Sequence, residues 1–259
     1  IHKYGRIDWL ESNNEYWLVR DAQLRTDFNI TSGFQEKDMD AIKYKSKMKA
    51  YYDKVGIPVA RYLLPEGLED SRAFIEKVGY PVVVKPDNGV GAVNTYKLKC
   101  DEDLVNFVNE WKTQYPEVPY IMEEFVHAEV NSYDAIIDAD GQPLFEASNV
   151  TPSCLMDVVN NNDDSIYYLQ KDMPEDLRDA GLRAVAAFGV KSRFIHFEFF
   201  RLCERGQDPF LHCRAGHCFK ASAVEFSRQL PGRERESSSA FSMAPDMPCA
   251  PGVSTNSAP

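Results

Sequence analysis

The sequence has no apolar run near the ~18 residues a membrane-crossing helix needs, so no membrane partner is expected. Its first residues, IHKYGRIDWLES, contain neither an apolar core nor a small-residue cleavage site and read as no signal peptide. They also lack an initiator Met, from which a fragment or a processed chain is expected. Basic residues are scarce: 29 Lys and Arg stand against 40 Asp and Glu, a net charge of −11. That balance excludes an extended nucleic-acid surface, whose affinity comes from clustered cations, but not a local basic pocket for a small phosphate compound. The six cysteines are irregularly scattered, which argues against a disulfide framework and for a cytoplasmic location. No Ser-His-Asp or Cys-His set is arranged for nucleophilic catalysis.

What is present changes character near residue 203. Up to Leu202 the apolar residues are periodic and Lys outnumbers Arg 14 to 9. From Cys203 onward there is one Lys against five Arg, four of the six Cys, six of the 15 Pro, and no Ile, Trp or Tyr. The closing RERESSSAFSMAPDMPCAPGVSTNSAP has too little apolar material for a core. HCRAGHC holds zinc-ligating residue types at a spacing that matches no common zinc pattern. Residues 203–259 are therefore expected to be an atypical tail, disordered or read out of frame.

Periodicity and punctuation predict helices over 13–26 (with Tyr16, Leu18 and Leu24 as apolar positions), 38–55, 71–78, 101–114 and 174–190. Strands are predicted over 80–85, 92–99, 119–126, 129–140, 142–150 and 192–202, with Gly141 turning a hairpin. In 101–114 the stripe Leu104, Phe107, Val108 and Trp111 has helical spacing and reads as core. Hairpins mixed with helices indicate an α+β layered fold.

One stretch, GYPVVVKPDNGVGAVNTYKL (79–98), poses a problem of charge. Val82, Val83 and Val84 read as a strand buried on both faces, yet the strand ends in Lys85 and meets a loop with Gly89 and Gly91. A buried ammonium costs several kcal/mol unless its charge is met. Either Lys85 snorkels to water at the strand's exit, or an anion such as a nucleotide phosphate lies over the glycine loop.

Five pieces stand in one order: a lysine-rich helix ending in GIP, PVVVKP with its glycine loop, a strand ending MEEFV, an E-x-x-S-x-D strand, and FIHFEFF. This order resembles the ATP-grasp superfamily, in the branch of carbamoyl phosphate synthase large chains, biotin carboxylases and amino-acid ligases. The resemblance implies an ATP-grasp fold: two α+β subdomains with antiparallel sheets enclosing the nucleotide, here over residues 38–202. Residues 1–37 are then expected to be the end of a preceding domain, and the chain an internal piece of a longer enzyme.

The resemblance also implies roles. Lys45, eleven residues before Gly56, takes the place of the first phosphate-contacting lysine, although Lys43, Lys47 and Lys49 on the same helix also allow a plain solvated face. Lys85 takes the place of the second, the catalytic cation at the α- and β-phosphates. Asn88, Gly89 and Gly91 belong to a loop over the phosphates, poorer in glycine than in many relatives. Glu123, Glu124 and Val126 match the stretch where adenine docks: the Glu124 carbonyl accepts from the amino group, the Val126 N–H donates to a ring nitrogen, and Glu123 accepts a further bond. Glu129 matches the acid at the ribose hydroxyls. Glu198, on one strand face with Phe194, His196 and Phe200, matches a Mg²⁺ ligand, and His196 is otherwise read as a hydrogen-bonded core histidine.

The superfamily's second metal-binding segment, E-x-N, is absent from 203–259. An impaired chain follows from that. The function expected of the parent is ATP-dependent ligation of a small-molecule carboxylate to an amine through an acyl phosphate, with ATP and Mg as cofactors. The alternatives are a non-catalytic nucleotide-binding module, biotin-dependent carboxylation, and a plain structural fragment with surface lysines.

Overall fold

The computed structural model describes residues 3–12, 15–88, 94–152, 164 and 166–202, together with the backbone of 213–220. Two antiparallel sheets, each with helices on one face, organise these residues.

The first sheet holds β1 (Tyr62–Leu63), β2 (Val82–Pro86), β3 (Tyr96–Leu98) and β4 (Tyr120–Glu124), in the order β1-β4-β2-β3. The period of two in β2 divides its run of valines. Val82 and Val84 pack with Met122 and Tyr120 against α4 (Leu68–Val78) and α5 (Asp101–Gln114). Val83 and Lys85 point the other way. The strand expected to be apolar on both faces is thus apolar on one and carries a cation on the other. In α5 the predicted stripe, Leu104, Phe107, Val108 and Trp111, is buried throughout. The indole N–H of Trp111 is satisfied by the Val118 carbonyl at 3.0 Å.

The second sheet is built on β5 (Glu129–Ile137), which lies between β9 (Arg193–Arg201) on one side and β6 (Pro143–Ala147) with β7 (Asn149–Thr151) on the other. β8 (Tyr168–Leu169) pairs with β7, and β10 (Cys213–Lys220) with β9. The predicted hairpin turns at Gly141, whose φ of +85° suits glycine. Both turn amides, Asp140 N–H and Gln142 N–H, donate to Asp138 Oδ1. The strand predicted over 142–150 is two strands, interrupted at Ser148.

One face of this sheet packs on α6 (Glu175–Phe188), which begins after Pro174 and ends at Gly189 in the left-handed conformation. Tyr133, Ala135, Ile195, Phe197 and Phe199 meet Leu177, Ala180, Ala184 and Phe188 there. Gly181 lets the helix lie on the Tyr133 ring: a Cβ at that position would fall 2.3 Å from Tyr133 Cγ.

Two sequence expectations are corrected in the N-terminal part. The helix predicted over 13–26 is a 3-10 turn, Glu15–Trp17, followed by α1 (Leu18–Asp27), and Tyr16 is 74% exposed rather than apolar core. The helix predicted over 38–55 is two, α2 (Met39–Lys43) and α3 (Lys45–Lys54), parted at Tyr44, whose backbone is extended. The break has a cause in distant sequence. Asp87, just past β2, takes the first amides of α3: Lys45 N–H donates to its carbonyl (2.9 Å), and Ser46 N–H and Oγ–H to its carboxylate (2.8 and 2.6 Å). A carboxylate there satisfies orphan donors and suits the helix dipole.

No boundary falls at residue 37. Leu18, Ala22 and Phe34 share a core with Met39, Ile42 and the strands of the second sheet. Glu11 lies between two buried guanidinium groups, Arg25 at 3.2 Å and Arg193 at 2.9 Å. Burial holds the Glu11 carboxyl above its ordinary range although both arginines pull it down. The tail expectation is corrected for eight residues, since 213–220 form β10; residues 203–212 and 221–259 lie outside the described residues.

Candidate functional site

The face of the first sheet turned away from α4 and α5 gathers a cluster of buried charge. Glu123 lies opposite Val83 in the β2–β4 register, so Lys85, two residues on, is its diagonal neighbour. Lys85 Nζ is 2.9 Å from Glu123 Oε2, and Lys49 Nζ is 3.0 Å from Oε1. Lys45, one helical turn before Lys49 on α3, donates to the carbonyls of Pro86 (2.8 Å) and Asp87 (3.4 Å). Glu123 is 0% exposed, Lys49 4%, Lys85 6% and Lys45 9%. Burial lowers the pKa of Lys85 to about 8; Glu123 opposes the fall, and Lys45 and Lys49 add to it. Lys85 therefore does not snorkel: it is enclosed, and Glu123 meets its charge. Three lysines around one glutamate leave the cluster cationic.

Residues 125–128 link β4 of the first sheet to β5 of the second. Glu124, just before the link, is held by Arg61, whose side chain reaches its Oε2 at 2.7 Å and whose N–H reaches its Oε1 at 2.9 Å. In the link itself Phe125 packs edge-on to His127, at 4.7 Å between centroids, and Lys97 Nζ lies 4.0 Å from the Phe125 ring centre.

The face of the second sheet turned away from α6 carries a polar row. Alternation sends Ile195, Phe197 and Phe199 to the core and leaves Phe194, His196, Glu198 and Phe200 half-buried on the other side. The register sets Ser132 opposite Glu198 and Asp134 opposite His196. His196 Nδ1 makes a short contact with Asp134 Oδ1, and Nε2 is 3.4 Å from Glu198 Oε1. Ser132 Oγ–H donates to Asp134 Oδ2 at 2.5 Å, and the Asn149 amide to the same oxygen at 3.3 Å. Burial works against an imidazolium here, but the bonds to Asp134 and Glu198 outweigh it and raise the His196 pKa to about 9.

Among the described residues no group of three or more His, Cys, Asp or Glu side chains is disposed to hold a metal ion. Glu198 offers one carboxylate. A magnesium ion commonly takes one or two carboxylates and completes its shell with water and substrate phosphates. The residues present therefore suit a metal that arrives with a phosphate compound, not a resident one. Nor is any helix among the described residues long and apolar enough to cross a membrane.

The structure thus brings Lys45, Lys85 and Glu123 together and sets Glu198 on the other sheet beside His196. Glu123, expected at adenine, has both carboxylate oxygens in contact with lysines. Val126 lies in the link, and Asn88 follows the anchored Asp87. Glu129 opens β5 with its Cα opposite Arg201. Gly89 and Gly91 lie outside the described residues. Sequence reasoning missed Lys49, Arg61 and Asp134. Only Lys49 carried a readable signal: its i, i+4 spacing from Lys45 puts both on one helix face, while Lys47 lies half-exposed and pairs with Asp40.

No family model matches the chain. The carbamoyl phosphate synthase large chain of Methanothermobacter thermautotrophicus is 26% identical over 152 residues, 57% of this chain and 14% of that protein. The L-arginine-specific L-amino acid ligase of Bacillus subtilis is 38% identical over 112 residues, 40% of this chain and 26% of that protein. Among solved structures, the L-amino acid ligase from Bacillus licheniformis aligns with a TM-score of 0.60 and 18% identity, over 81% of this chain and 48% of that one. An ATP-grasp ligase complexed with a minimal precursor aligns at 0.52 and 18%, over 73% and 55%.

This is an ATP-grasp fold. The two sheets with their helices are the α+β subdomains that the ATP-grasp reading implies, and the superfamily suggested by five short motifs is the one to which sequence relatives and structural neighbours point. The chain spans 14% and 26% of the two curated relatives and about half of the L-amino acid ligase structure.

Proposed function

We propose that this chain is the nucleotide-binding part of an ATP-dependent ligase that joins a small-molecule carboxylate to an amine. The observation that carries the reading is the enclosed cationic cluster of Lys45, Lys49 and Lys85 beside Asp87, just past β2. It is held in place by protein groups yet keeps more positive than negative charge. A triphosphate is the anion that suits it. Lys85 and Lys45 meet its oxygens, and Asn88 with Gly89 and Gly91 bring backbone N–H groups to it. Adenine lies against the 125–128 link, bonded by the Glu124 carbonyl and the Val126 N–H, with Glu129 at the ribose.

Glu198 is the magnesium ligand in this reading; the ion, when bound, neutralises charge on the phosphates. The substrate carboxylate attacks the γ-phosphorus and ADP leaves, giving an acyl phosphate. The amine attacks its carbonyl carbon, and phosphate and a proton depart. The protein contributes position and charge rather than a side-chain nucleophile.

Mg·ATP at a hundred times its Kd is expected to stabilise the protein by roughly 2.7 kcal/mol. Lys85→Met abolishes most of that shift, read by thermal melting; an equal shift in both proteins removes Lys85 from the site. A second reading, a nucleotide-binding module without turnover, is favoured by the single carboxylate at Glu198 and the lack of an E-x-N segment in residues 203–259. It predicts the same shift with no ADP released when carboxylate and amine are supplied.

A further inference from the structure

Lys49 has no place in the roles assigned above, yet it is firmly held. Its ammonium touches three elements: Glu123 Oε1 on β4 at 3.0 Å, the Ala60 carbonyl at 3.3 Å, and the face of Tyr62 on β1, 5.1 Å from the ring centre. Tyr62 lies directly opposite Glu123 in the β1–β4 register, so carboxylate, ring and carbonyl form a fixed seat for one ammonium. A lysine whose only duty was surface charge would not be enclosed at three points.

We propose that Lys49 is a positioning residue of the nucleotide site: by holding one oxygen of Glu123, it leaves Lys85 a single oxygen and so keeps Lys85 available to a phosphate. This rests on the nucleotide reading given above. A carboxylate has two oxygens, and here each is assigned to a different lysine. Without Lys49 both turn to Lys85, which then binds Glu123 more completely and must give up more to meet an external anion. Separately, the charge of Lys49 lowers the Lys85 pKa, since a nearby cation disfavours its proton.

Among the described residues, the charged groups around Lys85 are Lys45 and Lys49 from α3, Glu123 from β4 and Asp87 after β2. Tyr62 from β1 faces the same cluster; burial raises its phenol, and Asp53, Asp87 and Glu123 raise it further.

The test follows the titration of Lys85 by the ¹³Cε resonance of labelled lysine, without nucleotide, alongside Mg·ATP binding measured at pH 7.5. The wild-type midpoint is expected near about 8. Lys49→Gln, which keeps a donor for Ala60 and Glu123 but removes the charge, is expected to raise that midpoint by about one unit. It also weakens Mg·ATP severalfold, while Lys49→Arg keeps both values close to wild type. A merely structural role would lower the melting temperature and leave Mg·ATP affinity alone.

An unmoved midpoint in Lys49→Gln, or an arginine variant that behaves like the glutamine one, overturns the proposal. If Lys49→Gln does not fold, Lys49→Arg decides: a Lys85 midpoint or an Mg·ATP affinity that departs from wild type overturns the proposal. Absence of any Mg·ATP binding in the wild type overturns the nucleotide reading and this role with it. That outcome is distinct from binding that persists while the Lys85 midpoint ignores Lys49.

Discussion

The two sheets solve the same problem in opposite ways. Each has an apolar face under helices and a second face that carries charge. On the first sheet the charge is cationic and closed in, with Lys49 and Lys85 divided between the two oxygens of Glu123. On the second it is mainly anionic and half-open, a row of hydrogen bonds running from Ser132 through Asp134 and His196 to Glu198. The cationic cluster is fixed by ion pairs that cannot be broken singly without stranding a buried charge. The anionic row is fixed by bonds shared along a strand pair and keeps one carboxylate near solvent. In the proposed reading the first face takes an anion and the second a cation.

The comparison is broken most severely at its buried anion. Glu123→Gln keeps the shape and removes the charge that both lysines share; a loss of about 3–5 kcal/mol is expected in urea unfolding, as for a buried pair deprived of one partner. A loss below about 1 kcal/mol would mean that the lysines do not depend on Glu123.

Next comes Gly181→Ala on the covered side of the second sheet. Its Cβ would meet the Tyr133 ring at 2.3 Å, so the helix has to lift, at a cost of about 1–3 kcal/mol or more. Unchanged stability would show that α6 does not seat on Tyr133.

Asp134→Asn removes a charge-assisted bond to His196 and is expected to cost about 1.5–3 kcal/mol at pH 7. Its effect on Mg·ATP affinity should be smaller than that of Lys85→Met, because Asp134 acts on the metal side only through its neighbours.

The pH dependence sharpens the contrast, because stability and binding respond with opposite sign. The folded-state pKa of Lys85, about 8, lies below the ordinary lysine value of 10.5, so the native state disfavours its proton. Its destabilising contribution is fully present below pH 8 and fades as the pH rises toward 10.5. Mg·ATP affinity does the reverse, falling up to about tenfold per pH unit above 8 as the free protein loses the cation. Lys85→Met should flatten both trends between pH 8 and 10.5; equal slopes in variant and wild type would assign them elsewhere.

The smallest effect is expected at Arg72→Ala. The Arg72–Asp101 pair is bidentate, at 2.8 and 2.6 Å, but both side chains lie in solvent, and the melting midpoint should barely move.

Local pattern determined much of this protein. The stripe of α5 and the alternation in FIHFEFF are statements about periods of 3.6 and 2, and both survive in the fold because neighbouring residues alone set them. The order of five motifs was enough to indicate the ATP-grasp fold. Tertiary contact decided the rest. Nothing near Tyr44 announces that the helix breaks there; the carboxylate responsible lies 43 residues on, at Asp87. Nothing in MEEFV tells Glu123 from Glu124, yet alternation on β4 sends one inward to two lysines and the other to Arg61 at the edge. Charge is written in sequence one residue at a time, whereas the partner that makes a buried charge tolerable is chosen by which strands and helices come to lie side by side.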